Sequence, residues 1–218
     1  MTNYITTSIF DIFKTGPGPS SSHTIGPMRA ALAFRDAITS LLTSNDLSQA
    51  VIDVYLYGSL SLTGEGHGTH KAVLGGLLGW TPEGCDCDQL LALLDEADRR
   101  YDLPFPTGAI AFTSANIHFE GADALLAYQN TLRFRLAIDG ITLLEKEYHS
   151  IGGGFIQCKG EPEPTLPEPP HQYSNMRGLR KLLRKTDLSL REVVLENEAV
   201  LTGKSRKEIL AGIDALID

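Results

Sequence analysis

Cysteine is scarce in this chain, with three among 218 residues. An odd, small set cannot close a disulfide framework, which suits a reducing compartment. Cys85 and Cys87 form a C-x-C beside a loop, and Cys158 is far away in sequence. Metal–sulfur clusters usually take three or four thiolates, so these residues are short of ligands for one. Excess positive charge is also missing: 19 Lys+Arg stand against 27 Asp+Glu, a net charge of −8. That balance argues against a dedicated nucleic-acid binder, and the short basic cluster from Arg177 to Arg191 reads as a solvated helix face. No apolar run approaches the roughly 18 residues of a bilayer span. Met1-Thr2-Asn3-Tyr4 lacks the basic and apolar regions of a secretory signal. The expectation is a cytoplasmic protein with neither nucleic acid nor membrane as partner. Internal repeats are absent as well.

What is present is an ordinary globular composition, 42% hydrophobic and 21% charged, in which helical and strand periods are mixed. Ser8 to Lys14 is a short apolar segment that ends in Gly16-Pro17-Gly18-Pro19, where alternating Gly and Pro forbid regular structure. From Pro27 onward Met28, Ala31, Leu32, Phe34, Ala37, Ile38, Leu41 and Leu42 recur at helical spacing, with Pro27 suited to a first helical turn. Val51 to Tyr57 reads as a buried strand broken by Gly58. Ala72, Val73, Leu74, Leu77 and Leu78 form a second helical stripe ending near Gly79. Asp88 to Tyr101 is predicted as an amphipathic helix opened by an acidic cap. Ala109–Phe112, Ile117–Phe119, Thr131–Ile138 and Leu143–Tyr148 read as strands, the last two joined by an Asp139-Gly140 hairpin turn. The prediction is one α/β domain, with helices packed on a mixed sheet. Glu161 to Pro170 is a Pro/Glu-rich linker. Beyond it Met176–Leu183, Leu188–Val200 and Ser205–Ile217 are helical, with Asp187 or Ser189 as the cap of the middle one.

Two loop-to-helix junctions carry the residues capable of chemistry. Ser20, Ser21, Ser22 and Thr24 sit just before the Pro27 helix, where hydroxyls, free backbone N–H groups and the positive end of the helix dipole suit a carboxylate or phosphate. His23 adds a group that titrates near neutral pH. Helix capping by one of these side chains is the plainer reading, but a cap needs one residue and this loop has five polar ones. At the second junction Gly64, Gly66 and Gly68 let backbone approach a ligand closely, His67 stands between two of them, and Thr69 follows. Helix starts at the carboxyl ends of strands are where α/β sheets collect ligands. His67 and His70, with Glu65 nearby, also permit a partial zinc site, although no fourth ligand and no His-Glu-x-x-His pattern accompany them. His118 and His149 fall in predicted strands and His171 in the linker.

Phe10-Asp11-Ile12-Phe13-Lys14, the run from Gly18 through His23 to Met28, Tyr57-Gly58-Ser59-Leu60, Thr63-Gly64-Glu65-Gly66-His67-Gly68-Thr69 and Ser150-Ile151-Gly152-Gly153-Gly154-Phe155 together resemble the bacterial iron–sulfur L-serine dehydratases. These are also called L-serine ammonia-lyases. The resemblance spans most of the chain and continues into Glu196-Asn197-Glu198. It implies conversion of L-serine to pyruvate and ammonia without pyridoxal phosphate. A [4Fe–4S] cluster with an open iron acts there as a Lewis acid on the departing hydroxyl while a base removes the Cα proton. The cluster cysteines of that family lie in a C-terminal catalytic domain, so its ligands are not expected here and this chain alone is expected to be inactive. The implied organisation is a β domain over residues 1–158, similar to the allosteric substrate-binding domain of some D-3-phosphoglycerate dehydrogenases. A linker over 159–171 and the helical start of the catalytic domain of a single-chain type over 172–218 complete it. The expected partners are L-serine, that catalytic domain and a second copy in a homodimer. His67 and His23 are the expected catalytic residues; Ser20, Ser21, Ser22, Thr24, Gly66, Gly68 and Thr69 are expected to bind substrate. No metal ligand is assigned. A regulatory L-serine-binding domain without catalytic role is the other reading. His70, where many relatives are acidic, and the Cys85/Cys87 pair depart from the family pattern.

Overall fold

In the computed structural model, which describes residues 4–13, 15–42, 46–96, 98–121, 128–162 and 167–217, the first element is one helical turn, α1 (Ile9–Ile12). It is started by a capping box in which the Ser8 hydroxyl and the Asp11 carboxylate satisfy each other's backbone N–H groups. This turn belongs with the C-terminal residues, because the chain forms two units: residues 15–161, and residues 1–14 together with 162–218.

The 15–161 unit opens on a helical turn, Ser21–Ile25, closed by an i to i−5 bond from Gly26 N to Ser21 O. It runs without a break into α2 (Gly26–Leu41). Then come β1 (Ala50–Gly58), α3 (Ser59–Thr63), α4 (Thr69–Leu77) and α5 (Cys87–Leu91). The remaining strands are β2 (Tyr101–Phe105), β3 (Gly108–Phe112), β4 (Ile117–Phe119), β5 (Asn130–Ile138), β6 (Ile141–Gly152) and β7 (Phe155–Cys158). Five of them form a sheet in the order β4-β1-β5-β6-β7, in which β1 and β4 are parallel and the other neighbours antiparallel. β2 and β3 make a separate antiparallel pair. The mixed α/β architecture predicted from the sequence is therefore the observed one.

Alternation in β1 explains the layering. Ala50, Ile52, Val54 and Leu56 are buried while Val51, Asp53, Tyr55 and Tyr57 are not, the period-2 signature of a sheet covered on one face. The buried face meets α2, whose Met28, Ala31, Phe34 and Ile38 are fully enclosed; Phe34 stacks on Phe134 of β5 with ring centroids 5.1 Å apart. α4 lies against α2, and Gly76 is the contact that lets them approach: a Cβ there would come 2.3 Å from the Met28 carbonyl oxygen. The β5–β6 turn is the predicted Asp139-Gly140 pair, with φ of 52° and 76°, as a type I′ hairpin requires.

Two local expectations are corrected. The predicted Asp88–Tyr101 helix is only the five-residue α5, capped by Asp86 rather than Asp88. Leu90 and Leu93 both turn into the core, and Leu94 takes a positive φ of 60° that ends helical progress. Its N–H donates to the Tyr101 hydroxyl at 2.8 Å, so Tyr101 is already the first residue of β2. The serine run is not a loop in front of a helix. Ser21 to Ile25 are themselves helical, a wide turn continuous with α2.

The other unit contains α6 (Met176–Thr186), α7 (Leu190–Thr202) and α8 (Arg206–Ile217), close to the three helices read from the sequence. Ser189, not Asp187, is the α7 cap, in a capping box with Glu192. α1 is bound to α7 through Glu198, which is 2% exposed. Its carboxylate accepts from the Ser8 hydroxyl and, at 3.1 Å, from the Ile9 N–H. Asn197 fixes the incoming chain, donating to the His171 carbonyl and accepting from the His171 N–H, both at 2.9 Å.

Gly76→Ala is expected to lower the unfolding free energy by roughly 1–3 kcal/mol through overpacking, although Ala is about 1 kcal/mol better than Gly in a helix. Urea denaturation checks this; a raised midpoint would show that α2 and α4 can move apart freely.

Candidate functional site

The two motif junctions meet. Strand β1 ends at Gly58, α3 and the glycine loop 64–68 follow, and α4 begins at Thr69 beside the wide turn that precedes α2. Two buried threonines cross-link them. The Thr24 hydroxyl donates to the His67 carbonyl at 3.1 Å and the Thr69 hydroxyl donates to the His23 carbonyl at 2.6 Å. Thr24 is 2% and Thr69 0% exposed, so each bond lies where an unmade partner would cost about 1–3 kcal/mol. Each threonine thus holds the backbone of the other loop's histidine, and the rings face one another with centroids 4.8 Å apart at 40°.

The glycines serve this approach. Gly18, at φ 83°, leaves room for Thr24, whose Oγ1 would be 2.3 Å from a Cβ there. Gly68, at φ 68°, is the left-handed residue from which α4 starts. Within the loop the N–H groups of His67, Gly68 and Thr69 donate to Gly64, Glu65 and Gly64 carbonyls respectively. The turn is thereby self-satisfied rather than open.

His67 Nδ1 lies 2.8 Å from the Thr63 carbonyl oxygen. A carbonyl only accepts, so Nδ1 carries the proton and, in the neutral ring, the lone pair is on Nε2. His23 is held by hydroxyls at both nitrogens: Ser22 Oγ at 3.0 Å and Ser20 Oγ at 3.5 Å from Nδ1, and Ser59 Oγ at 2.9 Å from Nε2. Ser20 Oγ and Ser22 Oγ are 3.3 Å apart, and Ser20 makes no side-chain cap. These serines thus converge on an imidazole instead of capping the helix. Burial, and next the neighbouring His67 ring, pull the His23 pKa below its ordinary 6.5.

Beside the pair is a cavity of about 220 Å³ whose lining includes Thr24, Gly66, His67, Gly68, Lys71 and Cys87. The Lys71 ammonium spans from it to Asp95 at 2.5 Å. Of the residues singled out from sequence, Ser20, Ser22, His23, Thr24, His67 and Thr69 are joined in one network, with Gly66 and Gly68 at the cavity. Ser21 contributes the carbonyl that closes the wide turn. His70 lies on α4 with Nδ1 buried and unpartnered, and among the described residues no three His, Cys, Asp or Glu side chains are grouped to hold a metal. Ser59 and Thr63 lie in motifs that carry the resemblance, but the sequence assigns neither a role at the site. Their signal was Gly58-Ser59 directly after a strand, a break that turns the next side chain toward the first loop.

Residues 8–161 match the family described as serine dehydratase beta chain. The chain is 36% identical over 213 residues to L-serine dehydratase 2 of Escherichia coli (strain K12), covering 92% of this chain and 45% of that protein. It is 39% identical over 213 residues to L-serine dehydratase TdcG of the same organism, covering 94% and 45%. To L-serine dehydratase of Haemophilus influenzae it is 36% identical over 204 residues, covering 90% and 44%. The chain thus spans less than half the length of these curated relatives. No helix among the described residues is long and apolar enough to cross a membrane.

Burial leads the causes that lower the pKa values of His23, His70 and His149. Each group's folded value lies below its unfolded value, so the unfolded chain binds more protons between the two values and stability rises with pH through that window. The melting temperature is expected to fall on acidification from pH 7.5 to pH 5.5 (about one unit either side of an ordinary imidazole), and less so in His149→Gln. A flat profile would contradict the burial of these rings.

Proposed function

The chain belongs to the serine dehydratase beta chain family, and on that premise we propose that it is the substrate-contacting part of an L-serine dehydratase. That enzyme converts L-serine to pyruvate and ammonia. The observation that carries the reading is the His23–His67 pair, held at 4.8 Å by reciprocal threonine bonds between the two loops that bear the family's motifs.

In this reading His67 is the base. With Nδ1 tied to the Thr63 carbonyl, its Nε2 lone pair is positioned to receive the Cα proton of serine. His23, kept preferentially neutral by burial, and the hydroxyls of Ser20 and Ser22 hold the polar groups of the substrate, with the turn at Ser21 and Gly66 and Gly68 shaping the recess. Thr24 and Thr69 contribute chiefly by fixing the two loops, since their hydroxyl protons are already committed to carbonyls. Cys85, Cys87 and Cys158 are free of disulfides, and in this reading the [4Fe–4S] cluster takes its ligands, as the resemblance implies, from the family's C-terminal catalytic domain. In the same reading the β domain covers residues 1–158, although residues 1–14 group with the C-terminal helices and the sheet lies in 15–161; a linker over 159–171 and helices from 172 lead into the catalytic domain of a cytoplasmic homodimer.

In the full-length enzyme, His67→Ala is expected to lower kcat by at least about 100-fold and His23→Ala to reduce it as well, each with normal cluster content. Near-normal turnover in both would refute the catalytic role. Calorimetry of this chain with L-serine separates the regulatory reading: tight binding by the chain alone would favour a sensor, and absence of binding a shared active site.

A further inference from the structure

Helix α3 is a single turn of five residues, Ser59–Thr63, yet both histidines are tied to it. Its first side chain reaches one ring, with Ser59 Oγ 2.9 Å from His23 Nε2. Its last carbonyl reaches the other, with Thr63 O 2.8 Å from His67 Nδ1. We infer that α3 is a positioning clamp that sets the orientation of both rings together and the tautomer of His67, and that Ser59 is a positioning residue for His23.

The turn is built to hold still. Gly58 ends β1 at φ 58° and ψ −127°, a conformation that L side chains avoid, and a Cβ there would lie 2.3 Å from the Gln129 carbonyl oxygen. This glycine redirects the chain sharply, and the Ser59 N–H donates to that same carbonyl at 2.7 Å. Leu60 is fully buried and anchors the turn in the core. Ser61 Oγ accepts from the Gly121 N–H at 2.8 Å. At the far end Gly64 packs over the Leu60 carbonyl, which a Cβ would approach to 2.0 Å, and the Thr63 hydroxyl donates back to the Ser59 carbonyl at 2.9 Å. Both restraints on the imidazoles therefore sit on one short, tethered segment. The rings are fixed relative to each other as well as to the sheet, and the His67 tautomer follows from the Thr63 carbonyl at its Nδ1.

The assignment rests on the dehydratase reading for its effect on turnover, but not for its effect on the rings. The test is made on the full-length enzyme with Ser59→Ala and Ser59→Thr, using long-range nitrogen-15 NMR of the histidine rings beside steady-state kinetics. In Ser59→Ala the His23 ring signals are expected to shift as the ring loses its Nε2 partner, while His67 stays in its Nδ1-protonated form. With them kcat for L-serine should fall about 10-fold and KM change less than about 2-fold, a small effect beside loss of a proton-transfer group. Ser59→Thr, which keeps the hydroxyl, should restore both. Unchanged His23 signals in Ser59→Ala overturn the clamp, as does a kcat loss that Ser59→Thr does not rescue. If the unsubstituted enzyme fails to turn over L-serine, the dehydratase reading falls, and the ring signals still decide the clamp.

Discussion

Two reciprocal hydrogen bonds organise the candidate site: Thr24 to the His67 carbonyl and Thr69 to the His23 carbonyl. Backbone carbonyls in irregular segments must find donors if they are buried. Here a carbonyl of each segment is met by a side chain of the other, so the two are tied together at His23 and His67. The close helix packing at Gly76, the room left at Gly18 and the left-handed start of α4 at Gly68 all serve the distance over which those two bonds can form.

The chemistry that this arrangement allows comes from asymmetry between two similar rings. His67 is bound at one nitrogen by a carbonyl, which fixes its proton. His23 sits among hydroxyls that can donate or accept, in a partly buried place that disfavours its charged form. Two titratable groups whose surroundings differ in this way are suited to different roles in one proton-transfer sequence. Nothing in the sequence spacing of His23 and His67, 44 residues apart, announces the difference; it follows from which atoms the fold sets beside each nitrogen.

Much of the fold was legible because its strands alternate clearly and its turns use the required residues. β1 and the Asp139-Gly140 hairpin are examples, and so are the stripes of α2 and α4. The Asp88–Tyr101 segment misled because leucines at Leu90, Leu91, Leu93 and Leu94 satisfy a helical stripe on paper, whereas the positive φ at Leu94 and the tyrosine hydroxyl that receives its N–H are tertiary facts. The site was legible as two polar helix starts. That they are stapled together, that the serines converge on His23 instead of capping, and that Ser59 and the Thr63 carbonyl orient the rings depend on long-range contacts that no local pattern encodes.

A double-substitution cycle on the staple bears most directly on this account. Thr24→Val and Thr69→Val, alone and combined in the full-length enzyme, would be followed by urea unfolding and by L-serine turnover. Each single change is expected to cost about 1–3 kcal/mol, with a coupling of at least about 0.5 kcal/mol between them and turnover depressed in all three. Strictly additive losses with turnover unchanged would contradict the idea that these two bonds hold the histidine pair together.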